Sequence, residues 1–153
     1  MDTIEQGGLV ANRNGRILEL QIRQLLISKK YKHLNRDSGV DILSSKWFKT
    51  QVQKGIKSIY DLPLRVDFFI LNKNKWPEGL VIETKWQSSA GSVDEKYPYT
   101  VLSLKNLGYS SVLMIAGGGY RQKAINWCLE QQTDHFIVLE SLDSAIKWAQ
   151  RNL

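Results

Sequence analysis

Two apolar runs, Leu64-Arg-Val-Asp-Phe-Phe-Ile-Leu71 and Leu80-Val-Ile-Glu-Thr-Lys-Trp-Gln87, each carry a carboxylate in mid-run. Between them lies Asn72-Lys-Asn-Lys-Trp-Pro-Glu-Gly79, the residue chemistry of a hairpin loop. The pattern predicts two antiparallel neighbouring strands, which would bring Asp67 within reach of Glu83. Because a strand alternates its side chains, Glu83 and Lys85 share one face and Thr84 points to the other. A carboxylate in the middle of an apolar strand costs on the order of a few kcal/mol unless it is paired or bound to a cation. Two on adjoining strands repel each other, and a divalent cation resolves that. Oxygen-only ligation with open positions suits Mg²⁺, and no His or Cys cluster suggests zinc. The alternative is a buried ion pair of Lys85 with Asp67 or with Glu83, without a catalytic role.

The chain has 153 residues, a hydrophobic fraction of 42% and one cysteine. Those values describe a single globular domain over 1–153. No apolar stretch approaches the roughly 20 residues of a membrane span. The start, Met-Asp-Thr-Ile-Glu-Gln-Gly-Gly, lacks the regions of a secretory signal. A lone Cys128 forms no internal disulfide, so the expected setting is a reducing cytoplasm, of prokaryotic or phage type. Cys128 itself is expected to fill core. The net charge of +6, from 21 Lys+Arg against 15 Asp+Glu, favours a polyanionic partner. Lys29, Lys30, Lys32, His33 and Arg36 form one basic cluster. Lys46, Lys49, Lys54 and Lys57 form another, interleaved with Trp47 and Phe48. A solvated basic face would read the same way; the metal site tips the balance toward nucleic acid.

Leu18, Ile22, Leu25 and Leu26 recur at helical spacing, predicting a core-facing helix from Gly15 to about Ser28 or Lys29 with Glu19 at the inner edge of its stripe. Tyr31–Leu34 reads as a short strand and Asp37-Ser-Gly39 as a turn. Residues 44–60 show no clean period and read as a basic surface insertion. Ser92 and Glu95 have capping-box spacing, with Pro98 in the first turn of a helix ending near Leu107 at Gly108. A buried strand over Ser110–Ala116, a helix over Arg121–Gln131, a strand over His135–Leu139 and a helix from Ser141 complete the chain. Strands alternating with helices imply parallel pairing in this half. Gly117-Gly-Gly119 precedes a helix but lacks a dinucleotide-binding fingerprint, so a simple turn is expected. His33 and His135 are isolated.

Asp67, then Glu83-Thr84-Lys85 sixteen positions later (83 − 67 = 16), on consecutive strands joined by a hairpin, resembles the PD-(D/E)XK nuclease superfamily, the fold of type II restriction enzymes, junction resolvases and some homing endonucleases. Glu19 on the upstream helix matches a carboxylate often found there, and Gln87 extends the match to Glu-x-Lys-x-Gln. The resemblance covers about residues 15–116. Val66, in place of Pro, precedes Asp67; the superfamily tolerates that.

The resemblance implies an α/β fold, a restriction-endonuclease-like mixed sheet flanked by helices, and hydrolysis of DNA phosphodiesters. It implies Mg²⁺, with Mn²⁺ as a substitute, held by Asp67, Glu83 and the Thr84 carbonyl. Lys85 would position or deprotonate water and offset charge on the phosphate. Glu19 would serve a second metal or hold waters, unless it is a solvated helix-edge glutamate. Gln87 would orient water or phosphate, unless it is a surface amide. Lys46, Lys49, Lys54, Lys57, Lys96 and Tyr99 are candidate DNA contacts; the alternative for Lys96 and Tyr99 is a helix cap with packed tyrosines. The expected partner is double-stranded DNA, with a homodimer or homotetramer for double-strand cleavage. Restriction-type or homing-type specificity leads, a junction resolvase is second, and a non-catalytic DNA-binding module or an RNA-cleaving role are further readings.

Overall fold

The computed structural model of the protein describes residues 16–33, 40–44, 57–62, 64, 66–88 and 94–153. Helix α1 spans 16–28, and its predicted stripe is the one that is buried: Leu18, Ile22 and Leu26 are inaccessible to solvent. The helix stops where Lys30 takes a left-handed conformation (φ 67°). Lys30 N then donates to Ile27 O and Tyr31 N to Leu26 O, the paired bonds of a left-handed helix terminus.

Six strands follow: β1 (Lys32–His33), β2 (Val40–Ser44), β3 (Phe68–Asn72), β4 (Trp76–Trp86), β5 (Ser110–Ala116) and β6 (Phe136–Leu139). They form one sheet in chain order. β1 and β2 pair in parallel, β2–β3–β4 are antiparallel, and β4–β5–β6 are parallel. The fold is therefore α/β with a mixed sheet, as read from the sequence. Nothing in the sequence marks β2, whose five residues sit in a stretch of mixed composition and pair with β3.

The β3–β4 hairpin is tighter than the predicted 72–79 loop. Asn72 faces Trp76, so Trp76, Pro77 and Glu78 belong to β4. The connection is only Lys73–Lys75, because Asn72 Oδ1 accepts from Asn74 N at 3.0 Å and Lys75 N at 3.1 Å, a side-chain-closed turn. The predicted capping box falls partly outside the described residues, since Ser92 does. Glu95 lies in a 3₁₀ turn, Asp94–Lys96, and α2 (Tyr97–Lys105) starts after it with Lys96 as N-cap and no side-chain cap bond. Pro98 does sit in the first turn.

Helices α3 (Gln122–Glu130) and α4 (Leu142–Asn152, capped by Ser141) complete the order. One sheet face carries Phe68, Ile70, Leu80, Ile82, Val112 and Met114 against α1 and α4. The other carries Phe69, Val81, Leu113 and Ile115 against α2 and α3. Each such fully buried side chain contributes about 2 kcal/mol of transfer free energy. Both helix layers are needed because the central strands are apolar on both faces. Cys128 fills core on α3, as expected; its residue is fully buried, and burial pushes its thiol up to about 11. Among the described residues no helix is long and apolar enough to cross a membrane.

Candidate active site

Phe68 pairs with Ile82 across the hairpin, and one further step in that register sets Asp67 opposite Glu83. The contacts agree. Asp67 Oδ2 accepts from Thr84 N and from Thr84 Oγ1, each at 2.8 Å. Asp67 N in turn donates to Glu83 Oε2 at 3.3 Å. Lys85 Nζ lies 3.4 Å from the other oxygen, Glu83 Oε1. Alternation along β4 turns Glu83 and Lys85 to the side of Val81, toward α2, while Thr84 lies on the opposite side.

The Glu83–Lys85 pair is the ion pair that the sequence left as an alternative, but it does not balance the charge. Two carboxylates stand against one ammonium. Burial, and then the charge of Asp67, push the Glu83 carboxyl up to about 8 from 4.5, with Lys85 opposing only in part. The Glu83 side chain is 12% exposed and that of Lys85 30%. Both open into a cavity of about 420 Å³ whose walls include Val66, Tyr60, Lys96, Tyr99 and Leu104. A buried carboxylate that is costly to ionise, with a second one beside it and open volume in front, fits a divalent cation.

The remaining sequence-derived residues separate. Lys96 and Tyr99 both line the cavity. Glu19 hydrogen-bonds Arg23 one turn along α1, at 3.3 Å. The Arg23 guanidinium lies 5.5 Å above the Phe68 ring, so this edge of α1 covers the start of β3. No three His, Cys, Asp or Glu side chains are gathered for a metal among the described residues, and Glu19 stands apart from the Asp67–Glu83 pair. Gln87 is 3% exposed, not a surface amide. Its Oε1 accepts from Tyr97 Oη at 2.8 Å, its backbone N donates to Ala116 O and its carbonyl accepts from Gly119 N. The chain is pinned here because Gly117 (φ 102°) approaches so closely that a Cβ would lie 2.4 Å from Gln87 O. The Gly117–Gly119 segment thus turns the chain, and Gly117 and Gly119 make this contact. Lys57 is exposed and pairs with Asp61 at 3.0 Å. Lys46, Lys49 and Lys54 lie outside the described residues.

A family model described as a PD-(D/E)XK nuclease superfamily domain matches residues 10–153. The chain belongs to the PD-(D/E)XK nuclease superfamily. Neither a curated protein nor a solved structure matches it. Membership suggests nuclease activity, and PD-(D/E)XK nucleases generally use divalent metals.

In this PD-(D/E)XK domain the sequence reading missed two roles. The Thr84 hydroxyl braces Asp67, a contact hidden because Thr84 is the variable middle position of the Glu-x-Lys triplet. Tyr60 forms part of the cavity wall; it sits in the patternless 44–60 stretch, where no period marks it. Tyr97 was legible only as a packed tyrosine. Burial and the nearby Asp94 carboxylate raise its hydroxyl well above the usual range, so it stays protonated and donates to Gln87.

Proposed function

We propose that the chain is a Mg²⁺-dependent DNA endonuclease of the cytoplasm, site-specific in the restriction or homing manner, acting on double-stranded DNA. The observation that carries the reading is the Asp67–Glu83 register with Lys85 beside Glu83 at the mouth of a cavity lined by Lys96 and Tyr99. Net charge of +6 supports a polyanionic substrate.

Asp67, Glu83 and the Thr84 carbonyl would hold the divalent ion, which when bound supplies Lewis acidity toward water and a phosphodiester oxygen. Thr84 fixes one oxygen of Asp67 and leaves the carboxylate its other oxygen for ligation. Glu83 holds the Lys85 ammonium at the cavity. From there Lys85 donates to water or to a phosphate oxygen and offsets negative charge as the water oxygen bonds phosphorus and the ester bond breaks. Gln87 acts one layer behind, fixing the end of β4 through Tyr97 and the glycine turn. One such site cuts one strand, so double-strand cleavage requires at least a homodimer.

Supercoiled plasmid incubated with Mg²⁺ tests the assignment. Wild-type protein nicks or linearises it, and Asp67→Ala and Lys85→Ala each slow this at least ~100-fold. Cleavage that survives either substitution would sink the site. Plasmid binding without cleavage by wild type would leave a DNA-binding module.

A further inference from the structure

The cavity that Lys85 lines also holds a pair of tyrosines from different parts of the chain. The Tyr60 and Tyr99 rings stack with centroids 5.5 Å apart and planes 29° apart. Tyr60 is 68% exposed, so with Tyr99 against one face of its ring the other face is open to solvent. Both rings border the same cavity as Glu83 and Lys85.

The turn that carries Tyr60 is rigidly built. Ser58 N donates to Leu62 O and Asp61 N to Ser58 O. Tyr60 N donates to the hydroxyl of Ser58, a residue only 2% exposed. Ile59 N reaches Ser103 Oγ on α2, tying the turn to the helix that bears Tyr99. Asp61 holds φ at 60°, a conformation that Asp tolerates better than most residues. A tight turn locked at both ends that presents an aromatic ring to water is costly as packing alone, since the exposed ring buries little apolar surface. It is well suited to receiving a flat partner, because the ring is ordered beforehand and loses little entropy on binding.

We propose that Tyr60, backed by Tyr99, is a stacking platform for an unpaired base next to the scissile phosphate. The inference rests on the nuclease reading and narrows its substrate class: DNA with a base that is single-stranded at that point, or turned out of the helix, is the preferred ligand. Inside an uninterrupted duplex both faces of every base are covered by neighbours, so the Tyr60 ring has nothing to stack on. A splayed base offers a free face to the Tyr60 ring, and Lys85 and Lys96, which line the same cavity together with Glu95, are the cations available to its phosphate. Stacking of this kind tolerates any base, so the platform selects for strand opening and not for sequence.

The test uses fluorescence anisotropy in EDTA, so that nothing is cut, with a mixed-sequence duplex and the same duplex carrying a short single-stranded gap. Wild-type protein binds the gapped DNA roughly tenfold tighter. Tyr60→Ala removes that gain and leaves duplex binding unchanged, whereas Tyr60→Phe keeps it, since the ring and not the hydroxyl stacks. A 2-aminopurine in the gap is quenched on binding by wild type and Tyr60→Phe but not by Tyr60→Ala. Equal affinity for the two DNAs, a gain that Tyr60→Ala leaves intact, or loss of duplex and gapped binding together would overturn the platform. Those outcomes leave plasmid cleavage and its dependence on Asp67 and Lys85 standing, so this subsite and the nuclease reading fail separately.

Discussion

Thr84 grips Asp67 twice: its backbone N and its hydroxyl both donate to Asp67 Oδ2, each at 2.8 Å. The residue between Glu83 and Lys85 therefore points away from them and still belongs to the site. Asp67 lies just before β3, where no strand pairing holds it, and this double bond sets its direction.

Replacing that hydroxyl tests the brace. Thr84→Val keeps the branched shape and the backbone donor but removes one charge-assisted bond, so stability falls by about 1–2 kcal/mol. Thr84→Ser retains the donor and stays closer to wild type. Urea unfolding monitored by tryptophan fluorescence reads both, and equal stability of Val and wild type would deny the hydroxyl any share in holding Asp67.

Glu83 gives the metal-free protein a pH signature. Its carboxyl titrates near 8 in the folded chain against 4.5 for its ordinary value. Between those two values the folded state keeps a proton that the unfolded state has lost, so stability declines as pH rises from about 4.5 to about 8, and is level above that. Glu83→Gln, which cannot ionise, flattens this part of the profile. Chemical denaturation across that range in EDTA provides the comparison; parallel profiles would mean that Glu83 is not protonated in the fold.

The same titration couples to metal. A cation held at the proposed site would need Glu83 ionised, so the expected Mg²⁺ affinity climbs about tenfold per pH unit on the acid side of 8, with close to one proton released on binding at pH 7. Calorimetry in buffers of different ionisation enthalpy counts that proton. Affinity independent of pH would place the cation elsewhere.

Behind the site, Gly117 and Gln87 are in such close approach that Gly117→Ala is costly. The added Cβ would lie 2.4 Å from Gln87 O, at a φ of 102° that side chains avoid. A loss of roughly 2 kcal/mol or more is expected, with a fall in Tm and in cleavage, because the strand end carrying Glu83 and Lys85 must shift. Gly118→Ala is the control: a Cβ there meets nothing within 4 Å, so only the backbone preference is felt.

Much of this was written locally in the chain. The stripe Leu18–Ile22–Leu26, the paired apolar runs and the alternating second half specify helices, a hairpin and parallel strands through periodicity and turn residues, and Asp67, Glu83 and Lys85 stand out as charges in apolar runs, although Asp67 itself lies just ahead of β3. Tertiary contacts decided the rest. β2 exists because β3 offers it an edge; Gln87 is buried because a glycine turn and Tyr97 close over it; Tyr60 meets Tyr99 across 39 positions (99 − 60 = 39). The sequence by itself determined the hairpin, the parallel strands of the second half and the carboxylates that stand along those runs, since a side chain's face follows from spacing along one element. Only the folded structure decided what surrounds those carboxylates, because burial, charge and stacking depend on segments that are distant along the chain and adjacent only once the sheet is covered.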